Sequence, residues 1–298
     1  MRTRLHESAL AKLNLALSVG PPNETGLHPI CSWMVTVDFA DDLEVTRLAD
    51  GSISRYAILW HPDALHQPDI DWPVKSDLAV KMHHAIERYT SRRLPVQMKL
   101  QKRIPVGSGL GGGSSDAAAM LRACNTLFDL QLDSSAMRHI AGAVGSDVVF
   151  LIEGGSAIVE GTGGTVEQLP CLPDIAAVLV LPGIACHTGD VYRTYDEQGC
   201  CELRPNEVRG VLASSEFFND LAAPAQAIAP TLNTHASAIS KLIGRNVHIS
   251  GSGSTLFLTC DTTLEADAIA SAIKEHLGLP AITAQPTYIT QPAMESIP

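Results

Sequence analysis

The chain has 298 residues, enough for one large domain or two ordinary ones and for a core that needs no disulfide or metal. Its 45% hydrophobic content excludes a disordered chain, and its formal net charge of −11 excludes the broad basic footprint of a nucleic-acid binder. Seven cysteines without a C-x-x-C pair point to reduced thiols, and the longest apolar run, 175–181, is too short to span a membrane, so the expectation is a cytoplasmic protein without membrane partners.

Leu13, Leu15, Leu17 and Val19 alternate with Lys12, Asn14, Ala16 and Ser18. This predicts a half-buried strand over 10–19 with Lys12 and Asn14 on its polar face. A turn-rich stretch at 20–29 follows, then strands near 34–39, 43–48 and 52–59 and a loop over 60–75. Ser76 or Asp77 can cap a helix to about Tyr89. A strand over 96–104 carries the basic cluster Lys99, Lys102 and Arg103. Helices are predicted at 114–128 and, capped by Asp133 or Ser134, to about Val144. Strands at 148–152, 156–161 and 165–169 come next, and the apolar strand 175–181 opens the second half. There, helices near 188–197, 205–214, 216–228, 230–243 and 263–277 accompany strands at 246–250, 254–260 and 281–285. Residues 285–298 read as a tail. The mixture is α+β, with a division near residue 172 into 1–172 and 173–298.

The densest chemical signal runs from Pro105 to Ala119. Five glycines lie within 107–113, between a predicted strand and an alanine-rich helix that begins with two serines and an aspartate. Such a loop brings backbone amides and a helix N-terminus onto one anion, and a phosphate is the natural occupant. No lysine follows these glycines, which excludes the G-x-x-x-x-G-K-[ST] loop. Gly107, Gly109 and Gly112 fit G-x-G-x-x-G, but the second strand with an acidic residue ~20 positions on is missing. A nicotinamide-dependent oxidoreductase is therefore a poor fit.

Three ordered segments resemble the GHMP kinase family. Ser8 to Leu15 is similar to its first motif, P-A-K-[IL]-N-L; Pro105 to Ala119 to its phosphate-binding motif; Ile249 to Phe257 to its third, a glycine-rich turn between strands. Gly145 to Phe150 is similar to the family's G-A-D-V-P-F, and Glu160-Gly161-Thr162-Gly163 also fits. Within the family, the wording resembles the branch that phosphorylates the 2-hydroxyl of cytidine diphosphate-linked methylerythritol with ATP, in the non-mevalonate route to isoprenoids.

The resemblance implies a two-domain GHMP kinase fold: an N-terminal ATP-binding domain like ribosomal protein S5 domain 2, and a ferredoxin-like C-terminal substrate-side domain. It implies ATP with Mg²⁺, the phosphates lying against Lys102, Pro105, Gly107, Ser108, Gly109, Leu110, Gly111, Gly112, Gly113, Ser114 and Ser115. Ser115 is offered as a Mg²⁺ contact by analogy only, and the metal ligands stay unassigned. Lys12 and Asp147 match the catalytic pair, in which the lysine keeps the aspartate ionised so that it orients the substrate hydroxyl and accepts its proton. Direct proton loss to phosphate stays open, because the transition state of phosphoryl transfer is usually loose. Asn14, His28, Asp147, Thr188 and Tyr192 are implied on the substrate side, and Asn219-Asp220 resembles a substrate-side helix start.

Two departures stand out. Leu27 occupies the place of an aromatic that stacks on cytosine, and Gly189 the place of a proline. The acceptor therefore stays open between the cytidine-linked compound, a homoserine or mevalonate type of acceptor, and no acceptor at all in a non-catalytic nucleotide-binding relative. Monomer and homodimer are both compatible with the sequence.

Overall fold

The computed structural model describes residues 3–289. In chain order the first half contains β1 (Arg4–Val19), β2 (Ile30–Arg47), β3 (Arg55–Trp60), α1 (Leu78–Thr90), β4 (Val96–Lys102), α2 (Gly112–Leu127), α3 (Ser134–Gly142), α4 (Ser146–Leu151), β5 (Ser156–Gly161) and β6 (Thr165–Gln168). The second half contains β7 (Ala176–Val180), α5 (Thr188–Gln198), α6 (Pro205–Ser214), β8 (Phe218–Asn219), α7 (Ala222–Ile228), α8 (Thr231–Ile243), β9 (His248–Ile249), β10 (Leu256–Cys260), α9 (Thr263–Leu277) and β11 (Ala281–Ala284).

β1 and β2 form a long antiparallel pair. The strands expected at 34–39 and 43–48 are one strand, because β2 is long enough to pair β5 along its first part and β4 along its last. Among the described residues the first sheet runs β3-β4-β2-β1-β8, with β5 on β2 and β6 on β5. Helix α2 packs on β1 and β2, and α1 and α4 pack on α2.

The half-buried strand expected at 10–19 is buried on both faces from Ala9 onward. Leu13 and Leu15 join Ala177, Leu179 and Phe257 of the second sheet in one apolar cluster, while Leu17 and Val19 join the cluster under the helices. Register shifts between Leu10 and Lys12 and between Asn14 and Ala16 interrupt the alternation. Irregularities of this kind re-aim side chains next to functional sites. Here they bracket Lys12 and Asn14, which are buried and not on an exposed polar face.

Three other expectations need correction. The strand at 148–152 is helix α4, whose run Val148, Val149, Phe150 and Leu151 is buried against α2; a short apolar run has no period that separates the two. The helix at 216–228 is split, because β8 leaves its own half to pair in parallel with β1 before α7 begins. The start of the tail is held: Thr287 N donates to Thr36 O at 2.9 Å, and Pro286 and Tyr288 bridge to Val37 and Gly154. The remainder of that tail, 290–298, lies outside the described residues.

The second sheet runs β11-β7-β10-β9, all antiparallel. Numbered within this sheet, that order is 4-1-3-2, the ferredoxin-like arrangement. α9, capped by the Thr262 side chain on Glu265 N, covers β7 and β11. Residue 172 falls in the connection from β6 to β7, although β8 and residues 286–288 return to the first sheet.

Candidate active site

A cavity of about 1070 Å³ lies between the two halves and gathers residues of all three motif segments with the loop after β1. The end formed by the glycine-rich loop follows from local backbone chemistry. Gly107, Gly109 and Gly111 have positive φ of 65°, 75° and 70°, which lets the chain coil tightly between β4 and α2. The coil presses on the turn at 250–254: a Cβ on Gly109 would lie 2.0 Å from Ser250 O. Thr255 N donates to Ser108 O at 3.0 Å, Ser250 Oγ to Gly109 O at 3.1 Å, Lys12 N to Leu110 O at 2.9 Å and Cys186 N to Gly107 O at 2.9 Å. The loop carbonyls are thus fastened to protein. Gly112, Gly113 and Ser114, the first turn of α2, line the cavity. An unoccluded helix N-terminus attracts anions through its unpaired amides and its positive dipole end.

Lys12 and Asp147 face each other beside this end, Nζ to Oδ2 at 3.6 Å. The Lys12 ammonium also donates to Asn14 Oδ1. Asn14 is itself fixed, donating through Nδ2 to Ser32 Oγ at 2.8 Å, and Ser32 donates to Ala16 O at 2.7 Å. This chain of bonds holds a buried ammonium in one place. Asp147 sits in the first turn of α4 with its side chain 29% exposed, so its carboxylate is open to the cavity. Gly251 closes over the pair: a Cβ there would come within 3.1 Å of Lys12 Nζ and 3.0 Å of Asn14 Oδ1.

The far end is made of side chains. His28 and Tyr192 stand with ring centroids 5.0 Å apart, tilted by 44°. Thr188, at the start of α5, has its Oγ1 3.1 Å from Ser252 Oγ. Burial, aided by the nearby Asp147 carboxylate, raises the Tyr192 phenol above its ordinary pKa, which keeps the hydroxyl neutral. Leu27 lines the same end and is 56% exposed.

The GHMP kinases N terminal domain profile matches residues 77–156. The 4-diphosphocytidyl-2-C-methyl-D-erythritol kinase of Caulobacter sp. (strain K31) is 33% identical over 286 residues, covering 91% of this chain and 94% of that protein. The relative of the same name from Bacillus licheniformis is 31% identical, covering 85% and 87%. The crystal structure of a 4-(cytidine 5'-diphospho)-2C-methyl-D-erythritol kinase matches with a TM-score of 0.74 at 30% identity, covering 95% of this chain and 100% of that one. The chain belongs to the GHMP kinases, in the 4-diphosphocytidyl-2-C-methyl-D-erythritol kinase family. A homoserine kinase from Cytophaga hutchinsonii, at 16% identity and a TM-score of 0.68, shares the fold. The family consists of small-molecule kinases, which implies ATP as phosphoryl donor.

Several residues that the family resemblance puts at the nucleotide have other partners in the structure. Lys102 is buried, with its ammonium 2.6 Å from Asp41 Oδ2 and 2.5 Å from Asp116 Oδ2. It still touches the cavity wall, but its charge is already matched by two carboxylates. Burial opposes that charge, yet Asp116 and Asp41 outweigh it and hold the lysine above its ordinary pKa. Burial drives Asp116 well above the usual carboxylate range. Ser115 donates to Leu10 O at 2.7 Å and is buried, and Leu110 packs in the apolar core; neither lines the cavity. Pro105, Gly107, Ser108, Gly109, Gly111 and Thr188 do.

Asp41 lies outside every motif, and Asp116 and Ser250 lie inside two of them without an assigned role, yet the three build the site from distant elements. Asp41 also accepts from Ile104 N at 2.7 Å, tying β2 to the loop entry. Asn219 ties two elements together: Nδ2 donates to Ile249 O at 2.8 Å and Gly251 O at 2.7 Å, while Oδ1 caps Leu221 N at 2.8 Å. Asp220 accepts from Val19 N at 2.9 Å. This pair therefore joins β1 to the third glycine-rich turn. A lone carboxylate or serine in sequence gives no sign of such partners.

Proposed function

We propose that the chain transfers the γ-phosphoryl group of ATP to the 2-hydroxyl of 4-diphosphocytidyl-2-C-methyl-D-erythritol, in the cytoplasm, as a step of the non-mevalonate isoprenoid route. One observation carries the reading: the Lys12–Asp147 pair lies in one cavity with an anion-seating helix start and the His28–Tyr192 ring pair. The relatives named for this reaction support the same acceptor.

The chemistry follows from the residues. The first turn of α2 and the amides of 107–113 hold the phosphates. Tyr192 packs on the cytosine and His28 hydrogen-bonds it, which leaves the methylerythritol portion beside Asp147. Asp147 orients the 2-hydroxyl and accepts its proton as the hydroxyl oxygen attacks the γ-phosphorus. The bond from that phosphorus to the bridging oxygen breaks, and ADP leaves. Lys12 offsets the negative charge that gathers there. Because the transition state is loose, orientation and charge stabilisation carry most of the acceleration.

Mg²⁺ would accompany ATP and screen the phosphate charge. Oxygen donors that fit it lie on the same wall: Ser114 lines the cavity, and Asp116 Oδ1 has no hydrogen-bond partner. The division near residue 172 belongs to this reading, with nucleotide groups drawn mainly from 1–172 and Thr188 and Tyr192 from 173–298.

Leu27 favours a second reading, in which another acceptor of homoserine or mevalonate type replaces the cytidine compound. ADP release is measured with each of the three acceptors. Turnover of the cytidine compound alone is the expected result. Turnover of homoserine or mevalonate in its place would move the assignment to the second reading.

A further inference from the structure

We infer that His28, Asp196 and Cys200 form a site for a thiophilic divalent ion of the Zn²⁺ class, and that the bound ion withdraws His28 from the base of the acceptor.

The geometry is that of ligands arranged around a common centre. His28 Nε2 lies 3.3 Å from Asp196 Oδ1, and Cys200 Sγ lies 3.2 Å from the same oxygen. The three donor atoms all fall within 4.8 Å of one another. In a tetrahedral zinc site, bonds of about 2.0–2.3 Å put such donors about 3.3–3.6 Å apart, so small side-chain movements complete it. Asp196, in the last turn of α5, and Cys200, four residues on, come from one segment. His28 comes from the loop after β1.

The imidazole is already set for ligation. Its Nδ1 lies 2.9 Å from Gly20 O. A carbonyl only accepts, so Nδ1 carries the hydrogen and, in the neutral ring, Nε2 turns its lone pair toward a carboxylate. That second-sphere bond to a carbonyl is the usual way a metal-binding histidine is oriented. A cation between Nε2 and Oδ1 relieves two acceptors facing each other. Thiolate and carboxylate together offset the charge of a divalent ion. Nitrogen and sulfur donors select Zn²⁺ or Co²⁺ over Mg²⁺, so the ion that travels with ATP does not compete. On binding, the Cys200 thiol gives its proton to solvent, and affinity rises with pH.

Another three-residue group, His83, His84 and Glu87, is a weaker case. The His83 nitrogens are both engaged, by Tyr56 Oη at 2.9 Å and Leu94 O at 2.8 Å.

The coupling to the acceptor rests on the reading of His28 as a base contact; the ion site itself does not. Purified chain is titrated with Co²⁺ and then Zn²⁺. One equivalent of Co²⁺ is expected, with a thiolate-to-cobalt charge-transfer band that Zn²⁺ removes. Cys200→Ser and Asp196→Asn should lose the band and weaken binding by about tenfold or more, while Cys201→Ser keeps both. At free Zn²⁺ about ten times its Kd, the acceptor KM should rise roughly tenfold with kcat and the ATP KM unchanged. Cys200→Ser, with ordinary basal kinetics, should be insensitive. No band in the parent chain, a band that survives in both ligand variants, or bound metal without a KM change overturns the inference. If the cytidine compound is not turned over at all, the proposed reaction fails on its own, and the cobalt band still decides whether the ion site exists.

Discussion

At the end of the cavity proposed to seat the phosphates the holding groups belong to the backbone; at the end proposed to take the base they belong to side chains. The loop 107–113 is fixed by carbonyls bonded to Lys12, Ser250, Thr255 and Cys186, and at Gly109 the backbone of the 250–254 turn leaves no room for a Cβ. The base end has two tilted rings and a leucine that is more than half exposed. A phosphate is the same in every substrate, so a rigid backbone seat suits it. A base is distinguished by its edge and face, so it needs side chains, and side chains can be exchanged without loss of fold. Leu27 in place of an aromatic is the kind of change that the base end admits and the phosphate end does not.

The contrast can be broken hardest at Gly109. Gly109→Ala puts a Cβ on a residue with φ of 75° and 2.0 Å from Ser250 O. ATP binding and turnover should be lost, with stability lowered by more than ~2 kcal/mol, read by calorimetry and thermal unfolding. A stable, active variant would mean that the loop and the 250–254 turn are not locked together. Asp147→Asn comes next. Turnover should fall by a factor of about 10² or more while ATP binding stays near normal, since only the proton acceptor is removed. Near-normal kcat in steady-state assays would remove Asp147 from the mechanism.

Leu27→Tyr sharpens the other side. A ring at this rim restores a stacking face worth about 0.5–1.5 kcal/mol, so the KM for the cytidine acceptor should fall severalfold with the ATP KM unchanged. An unchanged KM would mean that the base does not lie against this residue. The smallest effect is a control on β9, outside the cavity. Burial holds His248 below its ordinary pKa of 6.5. The folded state thus resists protonation that the unfolded chain accepts. The associated stability is full above that ordinary value and declines as pH falls through it toward the lowered one. His248→Phe should flatten the acid-side fall in Tm without moving either KM; an unchanged slope would show that other groups set it.

Local patterns in the sequence specified much of this protein. Asp77 and Asp133 cap α1 and α3 through their own side chains, and glycine turns bound β5 and β6, all within reach of neighbours in the chain. The three motifs and the Gly145–Phe150 segment, with Lys12 and Asp147 among them, point to the family and the candidate site, because glycine spacing and residue type are local facts. Tertiary structure decided the rest. Lys12 reads as an exposed strand lysine until the second sheet covers the other face of β1 and the 250–254 turn closes over it. Lys102 reads as a free cation until Asp41 and Asp116, from two other elements, claim its charge. Val148 to Leu151 reads as a strand until α2 offers a helix-shaped groove. In each case the deciding partners lie on other elements of the fold, and burial and charge depend on what the folded chain brings near, which no local pattern encodes.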